Sequence, residues 1–269
     1  MKKIDGRSAI KPSQIDILEV LYKYRFGSRV LLARVLQIND STLYKKLSVL
    51  IKHELVGSKL DNQSKIRGLP AAYFLTPKGL RFLASLPKHD YITEKVIKAS
   101  YRDKSLKEPT ITHHIDVFSA VVALKSRYPE LKAYLRRDMS RFTYFPELPP
   151  DAFISMTIKD TTKRFFLDVV PAAQEKRPLF QRIAAYINFF DTGGWEATNT
   201  EPPKLLFIAE TASVERMIRR IVKGVISHLE PDEELEVYTT TKKALHNMDS
   251  EALIWTALDD DELMTLVDI

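Results

Sequence analysis

The chain has 269 residues, 41 Lys and Arg against 35 Asp and Glu, and no cysteine, which excludes disulfides and cysteine-ligated zinc. With 45% hydrophobic and 28% charged residues, 8 Gly and 14 Pro, it falls among globular chains and outside collagen-like or disordered ones. Asp5 and Arg7 stand where a secretory signal needs apolar residues, and no stretch is apolar and long enough for a membrane span, so an intracellular, cytoplasmic protein is expected. The net charge of +6 conceals a split. Up to Glu108 there are 22 basic and 10 acidic residues, and beyond it 19 basic and 25 acidic. A front end that basic favours a polyanion, and nucleic acid above all.

Lys11-Pro12-Ser13 opens a first helix, with Ile17, Leu18, Leu21 and Tyr22 at helical spacing and a stop near Phe26-Gly27. A second helix runs from Ser28 to Leu36, capped by Ser28 and packing Val30, Leu31 and Val35. Gln37 to Asp40 then supply a turn and a cap for a third. In that third helix Leu43, Leu47, Leu50 and Ile51 share one side, leaving Ser41, Lys45, Ser48 and Lys52 on the opposite stripe with Thr42 and Lys46 beside it. Leu55 to Leu60 reads as a strand, residues 61–68 as a polar turn, and Ala72 to Leu75 as a second strand. Thr76-Pro77 then caps and opens a helix within Leu-Thr-Pro-x-Gly.

Residues 12–86 thereby resemble the winged helix-turn-helix family of bacterial DNA-binding proteins. The resemblance implies that the third helix enters the major groove and that the strand pair forms a wing. Ser41, Thr42, Lys45, Lys46, Lys52, Lys59, Lys65 and Arg67 are then the DNA-contacting residues, and double-stranded DNA is the partner. The outward stripe holds no Arg, Asn or Gln, so phosphate contacts should outweigh base readout and binding should depend steeply on salt. Two half-sites read by a homodimer remain an open alternative.

Residues 87–109 read as a linker or connecting helix. From residue 110 the elements alternate: a helix from Ile111 to Arg127, strands at Leu131–Leu135, Ala152–Ile158 and Phe165–Val170, a helix to Phe190, a strand Leu205–Ala209, a helix Ser213–Ser227 and a strand Leu235–Tyr238. The order αβββαβ predicts an α/β sheet covered by helices. The run of acids at 259–262 reads as a solvated tail, with a second reading in which it competes with DNA for the basic front end. His113 and His114 are adjacent and diverge, so they make a poor metal pair, and no Gly-rich phosphate loop or nucleophile elbow is present.

Pro150-Asp151 beginning one strand and Asp168 on the next resemble the PD-(D/E)XK nuclease-like fold. That resemblance implies a divalent metal held by Asp151 and Asp168 and a lysine two residues later. Val170 stands in the lysine's place, and a valine can neither position water nor supply charge. Lys163, Lys176 and Arg182 are the candidates for a substitute cation, and Gln181 and Tyr186 resemble polar helix residues of some nucleases of this fold. The ensemble of a winged helix, His113-His114-Ile115-Asp116-Val117, Pro150-Asp151, Phe165 to Asp168, Arg182 to Tyr186 and Ala252 to Trp255 resembles the replication-relaxation family of plasmid and mobile-element proteins.

The expected architecture is therefore α+β: a winged helix-turn-helix at 10–86, a linker at 87–109, a restriction-endonuclease-like domain at 110–258 and an acidic tail at 259–269. The expected function is DNA binding in plasmid replication, relaxation or mobilisation as a non-catalytic accessory, with a relaxase or replication protein as partner and no cofactor. The alternatives are a metal-dependent nicking enzyme, for which Mg²⁺ would be the cofactor, and a transcriptional regulator with a sensing C-terminal domain.

Overall fold

The computed structural model describes residues 10–60, 70–232, 234–247, 252–260 and 262–269. The chain divides into two compact units, residues 1–118 and 119–269. Among the described residues no helix is long and apolar enough to cross a membrane.

In the first unit α1 (Pro12–Tyr24), α2 (Arg29–Leu36) and α3 (Asp40–Lys52) precede β2 (Val56–Lys59), β3 (Ala72–Leu75) and α4 (Pro77–Ala84). Each start has a local cause. Ser28 Oγ accepts the Leu31 amide (3.3 Å), Asn39 Oδ1 the Thr42 amide (2.8 Å), and Thr76 Oγ1 the Gly79 amide (3.0 Å). Phe26-Gly27, which reads from sequence as the stop of the first helix, and the cap residue Ser28 instead form a strand, β1, that pairs with β3 so that Phe26 is in register with Phe74. The sheet is antiparallel in the order β1-β3-β2.

Three apolar assignments also change. Val30 and Val35 are exposed, and α2 instead buries Leu31 and Leu32; Ile51 on α3 is exposed while Leu43, Leu47 and Leu50 are buried. Both helices are thus narrower in their apolar stripe than the sequence suggests. The segment after α4 holds α5 (Glu94–Ser100), whose Ile97 is buried, and α6 (Glu108–Arg127) begins three residues ahead of the expected Ile111. The unit boundary at Phe118 falls inside α6. Ile111 at its start lies in one apolar cluster with Phe26 and Phe74.

The second unit is built on a seven-stranded mixed sheet in the order β10-β9-β8-β7-β6-β5-β4. Its strands are β4 (Lys132–Leu135), β5 (Ala152–Ile158), β6 (Thr161–Val170), β7 (Lys204–Ala209), β8 (Val237–Thr241), β9 (Trp255–Ala257) and β10 (Leu263–Met264). β6, β7 and β8 run parallel, and the other neighbours are antiparallel. A tight turn with Lys159 (φ 44°) and Asp160 (φ 70°) both left-handed reverses β5 into β6, the geometry that suits a two-residue hairpin.

Helices α7 (Lys176–Asp191) and α8 (Ala212–Leu229) complete the order αβββαβ. They pack Leu179, Ile183, Tyr186, Ile218 and Val222 with Phe166, Leu205 and Phe207 into one buried cluster. The C-terminal segment departs from the expected free tail. β10 pairs with β9, Leu266 and Ile269 are buried, and the Leu266 amide donates to the Tyr128 hydroxyl (3.0 Å). Its acids flank two apolar anchors, and burial of those anchors outweighs the preference of the charges for free solvent.

Candidate functional site

Asp151 and Asp168 meet at one end of the β5–β6 pair. Pro150 has no amide hydrogen, so the ladder can begin only at Asp151, and its first rungs are made by side chains. The Asp151 amide donates to Asp168 Oδ1 (3.2 Å), and the Val169 amide donates to Asp151 Oδ2 (3.1 Å). Each carboxylate thus accepts an amide of the other strand and clasps the two strand ends together. Both are nearly inaccessible, at 5% and 4% exposure.

The two remaining oxygens are taken by a cation and a phenol, and a second cation shares Asp168 Oδ1 with the Asp151 amide. Arg136, in a short helical turn after β4, pairs with Asp151 Oδ1 at 3.0 Å. Arg182 on α7 pairs with Asp168 Oδ1 at 3.0 Å, and Tyr186, one helical turn later, donates to Asp168 Oδ2 at 2.8 Å. The i, i+4 spacing sets both groups on one face of α7, where Arg182 Nε also donates to the Tyr186 hydroxyl (3.1 Å) and Nη2 to the Pro149 carbonyl (2.8 Å).

The electrostatics follow from this enclosure. Burial raises the pKa of Asp168 above the ordinary carboxylate range, an effect that Arg182 opposes and the neighbouring Asp151 adds to. Burial also pulls Arg182 down, but Asp168, Tyr186 and Asp151 outweigh it and leave its pKa raised. Tyr186 is pushed well above the usual phenol value by burial and then by Asp168, so it remains a neutral donor.

The structure brings Asp151 and Asp168 together, and of the candidate substitute cations it is Arg182 that reaches them. Lys163 donates instead to the Val267 carbonyl (2.6 Å), and Lys176 and Gln181 are exposed on α7. Arg136 was missed; it lies fifteen residues before Asp151 with no motif to join them. A divalent cation needs several oxygen ligands with free lone pairs at about 2.1 to 2.5 Å. Here each carboxylate oxygen already accepts an amide, a phenol or a guanidinium, and a metal would stand against two arginines. The donor set does not fit one, and no group of three or more His, Cys, Asp or Glu able to hold a metal occurs among the described residues.

The expected nucleic-acid face lies in the first unit. Ser41, Lys45, Ser48 and Lys52 are exposed along α3, with Thr42 and Lys46 half-buried beside them. Tyr44, unforeseen, joins that stripe at 55% exposure, and the Arg29 guanidinium lies 5.7 Å from its ring centre while Arg29 pairs with Asp40 at 2.6 Å. Lys59 is drawn away, donating its ammonium to the Leu106 carbonyl. Lys65 and Arg67 lie outside the described residues.

Fold and site together define an α+β protein in which a three-stranded, helix-rich unit precedes a mixed sheet of αβββαβ order closed at one end by a charged cluster. The chain belongs to the replication-relaxation family, whose model matches residues 18–205. No curated protein matches it. Among the solved structures similar to it are two of the restriction endonuclease FokI, one of them bound to DNA. They align over 91% of this chain, at 12% and 10% identity and TM-scores of 0.34 and 0.33. The chain spans less than half of theirs, 44% and 45%.

Proposed function

We propose that the protein binds double-stranded DNA through its first unit and serves plasmid or mobile-element replication, relaxation or mobilisation as a non-catalytic accessory. The observation that carries this reading is the exposed hydroxyl-and-lysine stripe of α3, Ser41, Lys45, Ser48 and Lys52, on a helix whose other side is locked into the core by Leu43, Leu47 and Leu50. Lysines on a rigid helix can neutralise phosphates, and the hydroxyls can donate to phosphate or base edges. The helix-turn-helix order and the basic balance of the first 108 residues support it.

The second unit takes a non-catalytic role in this reading because the cluster of Asp151, Asp168, Arg136, Arg182 and Tyr186 uses its carboxylates to close the sheet rather than to receive a cation. Two arginines hold the positive charge that a metal and a lysine would supply in a nuclease. A relaxase or replication protein is the partner such an accessory would serve. The test incubates the full chain with supercoiled plasmid and Mn²⁺ or Mg²⁺, beside a gel shift with duplex DNA at several salt concentrations. A salt-sensitive shift without nicked circles is expected. Metal-dependent nicking that disappears in Asp168→Asn would make the protein an enzyme and overturn the accessory reading.

A further inference from the structure

Next to the carboxylates along the β5–β6 pair, and on the same sheet face, an aromatic cavity opens at the sheet edge. The face alternates as strands require: Asp151, Phe153 and Ser155 along β5, and Arg164, Phe166 and Asp168 along β6. Tyr134 on the edge strand β4 is in register with Phe153, with ring centres 5.9 Å apart. The segment that follows β4 brings Phe142, Tyr144 and Phe145 over it; Phe142 lies 5.3 Å from Tyr144, and Phe145 lies 5.3 Å from Phe153. Together with Arg164 these rings line a space of about 210 Å³. A cavity of roughly 150 Å³ already admits a benzene ring.

Three features set this cavity apart from ordinary core. Phe142 stands 44% exposed, and Tyr134, Tyr144 and Phe153 are half-buried, so aromatic surface is open to solvent. Ser155 and Thr162 line it beside Arg164, whose guanidinium donates to the Thr162 carbonyl (3.0 Å), while the Thr162 hydroxyl pairs with that of Thr157 (3.1 Å). The stretch from Leu131 to Pro146 that supplies four of its rings also carries Lys132, Arg136, Arg137 and Arg141 against Asp138, with Arg136 tied to Asp151 and Lys132 in register with the lining Ser155.

We propose that this cavity is a binding site for an unstacked base of single-stranded DNA, with the basic segment following its phosphates. Open aromatic faces accept any base by stacking, a guanidinium adds a cation–π or in-plane contact, and hydroxyls can satisfy base-edge groups. An apolar protein segment would not need Arg164 in the lining or Lys132 in register with Ser155 beside it, and these cations favour a polyanion here. The site lies within the second unit and does not depend on the duplex-binding reading of α3.

The test measures binding of the full chain to an oligothymidylate and to a duplex of equal length, by anisotropy of a labelled strand. Tyr134→Ala/Phe142→Ala is expected to weaken single-strand binding by roughly tenfold, the effect of lost base stacking, and to leave duplex binding unchanged. Tyr134→Phe/Phe142→Trp, which keeps both stacking faces, should retain wild-type affinity, and an unchanged urea unfolding midpoint in the alanine double variant shows that its loss is not one of folding. Trp195, whose ring centre is 5.6 Å from that of Phe153, should report single-strand binding by a fluorescence change absent in the double variant. Lys45→Ala/Lys46→Ala should do the reverse, weakening duplex binding alone, so that failure of the duplex reading is visible separately. Equal single-strand affinity in wild type and the aromatic double variant overturns the proposal. So does self-association of the wild type that this variant abolishes without an effect on single-strand binding, since the cavity would then be a protein contact.

Discussion

Arg182 and Asp168 are unequally buried, with 26% of the arginine side chain exposed and 5% of the carboxylate's. Removing the arginine strands an enclosed charge, whereas removing the carboxylate leaves an arginine that can still reach water and the Pro149 carbonyl. Arg182→Gln should therefore destabilise the protein by about 3 kcal/mol and Asp168→Asn by much less, as read from urea unfolding midpoints. The opposite ranking would refute this account of the cluster. Arg136→Ala also leaves an enclosed carboxylate, Asp151, without its cation, but at 48% exposure the arginine's place is open to water, so its cost should be smaller than that of Arg182→Gln, about 1 to 2 kcal/mol.

The pH dependence has a definite sign. Burial raises Asp168 in the fold, so the folded state holds that proton more tightly than the unfolded chain does. Its contribution is fully present below the ordinary carboxylate value and is lost as pH rises through the folded-state value. Without Arg182 to oppose burial the shift grows, and the deficit of Arg182→Gln should shrink between pH 7 and pH 4. A deficit independent of pH would place its origin outside the carboxylate. At this scale the carboxylates were legible because Pro-Asp and a strand Asp leave a pattern. The absence of a lysine at Val170 was legible as well. Arg136 left none, since only the register of β4 on β5 brings it to Asp151.

Elements were legible where a cap or a period announced them. The sequence Leu-Thr-Pro-x-Gly is one case, and the structure gives it a reason. The Thr76 amide donates to the Leu55 carbonyl (3.1 Å), its hydroxyl caps α4, and Gly79 lies so close to Leu55 that an added Cβ would stand 2.1 Å from the carbonyl oxygen. Gly79→Ala must push α4 off β2 and should destabilise the protein by roughly 1 to 3 kcal/mol, measured by thermal unfolding. Thr76→Ser, which keeps the cap, should stay near wild type. β1 escaped notice because three residues between two helices carry no alternation, and Ser28 had already been read as a cap; only pairing with β3 reveals the strand. For α3, replacing Lys45, Lys46 and Lys52 with Ala should flatten the salt dependence of duplex binding by roughly one unit of logarithmic slope per phosphate contact removed. An unchanged slope would move the DNA contact elsewhere.

Across the whole molecule, the division of charge that composition makes visible does not describe the local surface. The second unit is acidic in sum, yet the segment from Leu131 to Pro146 is basic, because charge matters over about a Debye length rather than over a domain. The order αβββαβ could be read from alternating periodicities, but the pairing of β8, β9 and β10 could not, since short strands far apart in sequence are joined only by the fold. The C-terminal segment bears on how the chain should be handled. Lys204 Nζ donates to the Ile269 carbonyl (2.8 Å), and the Ile254 amide to that of Met264 (3.0 Å), so residues 262–269 act as the outer guard of β9. A chain cut after Leu258 would present β9 as an open row of amides and carbonyls beside newly bared apolar side chains, a template for strand addition between molecules. Such a truncation should show its effect first as concentration-dependent aggregation in light scattering, and the removal of a few negative charges would be the lesser part of what had changed.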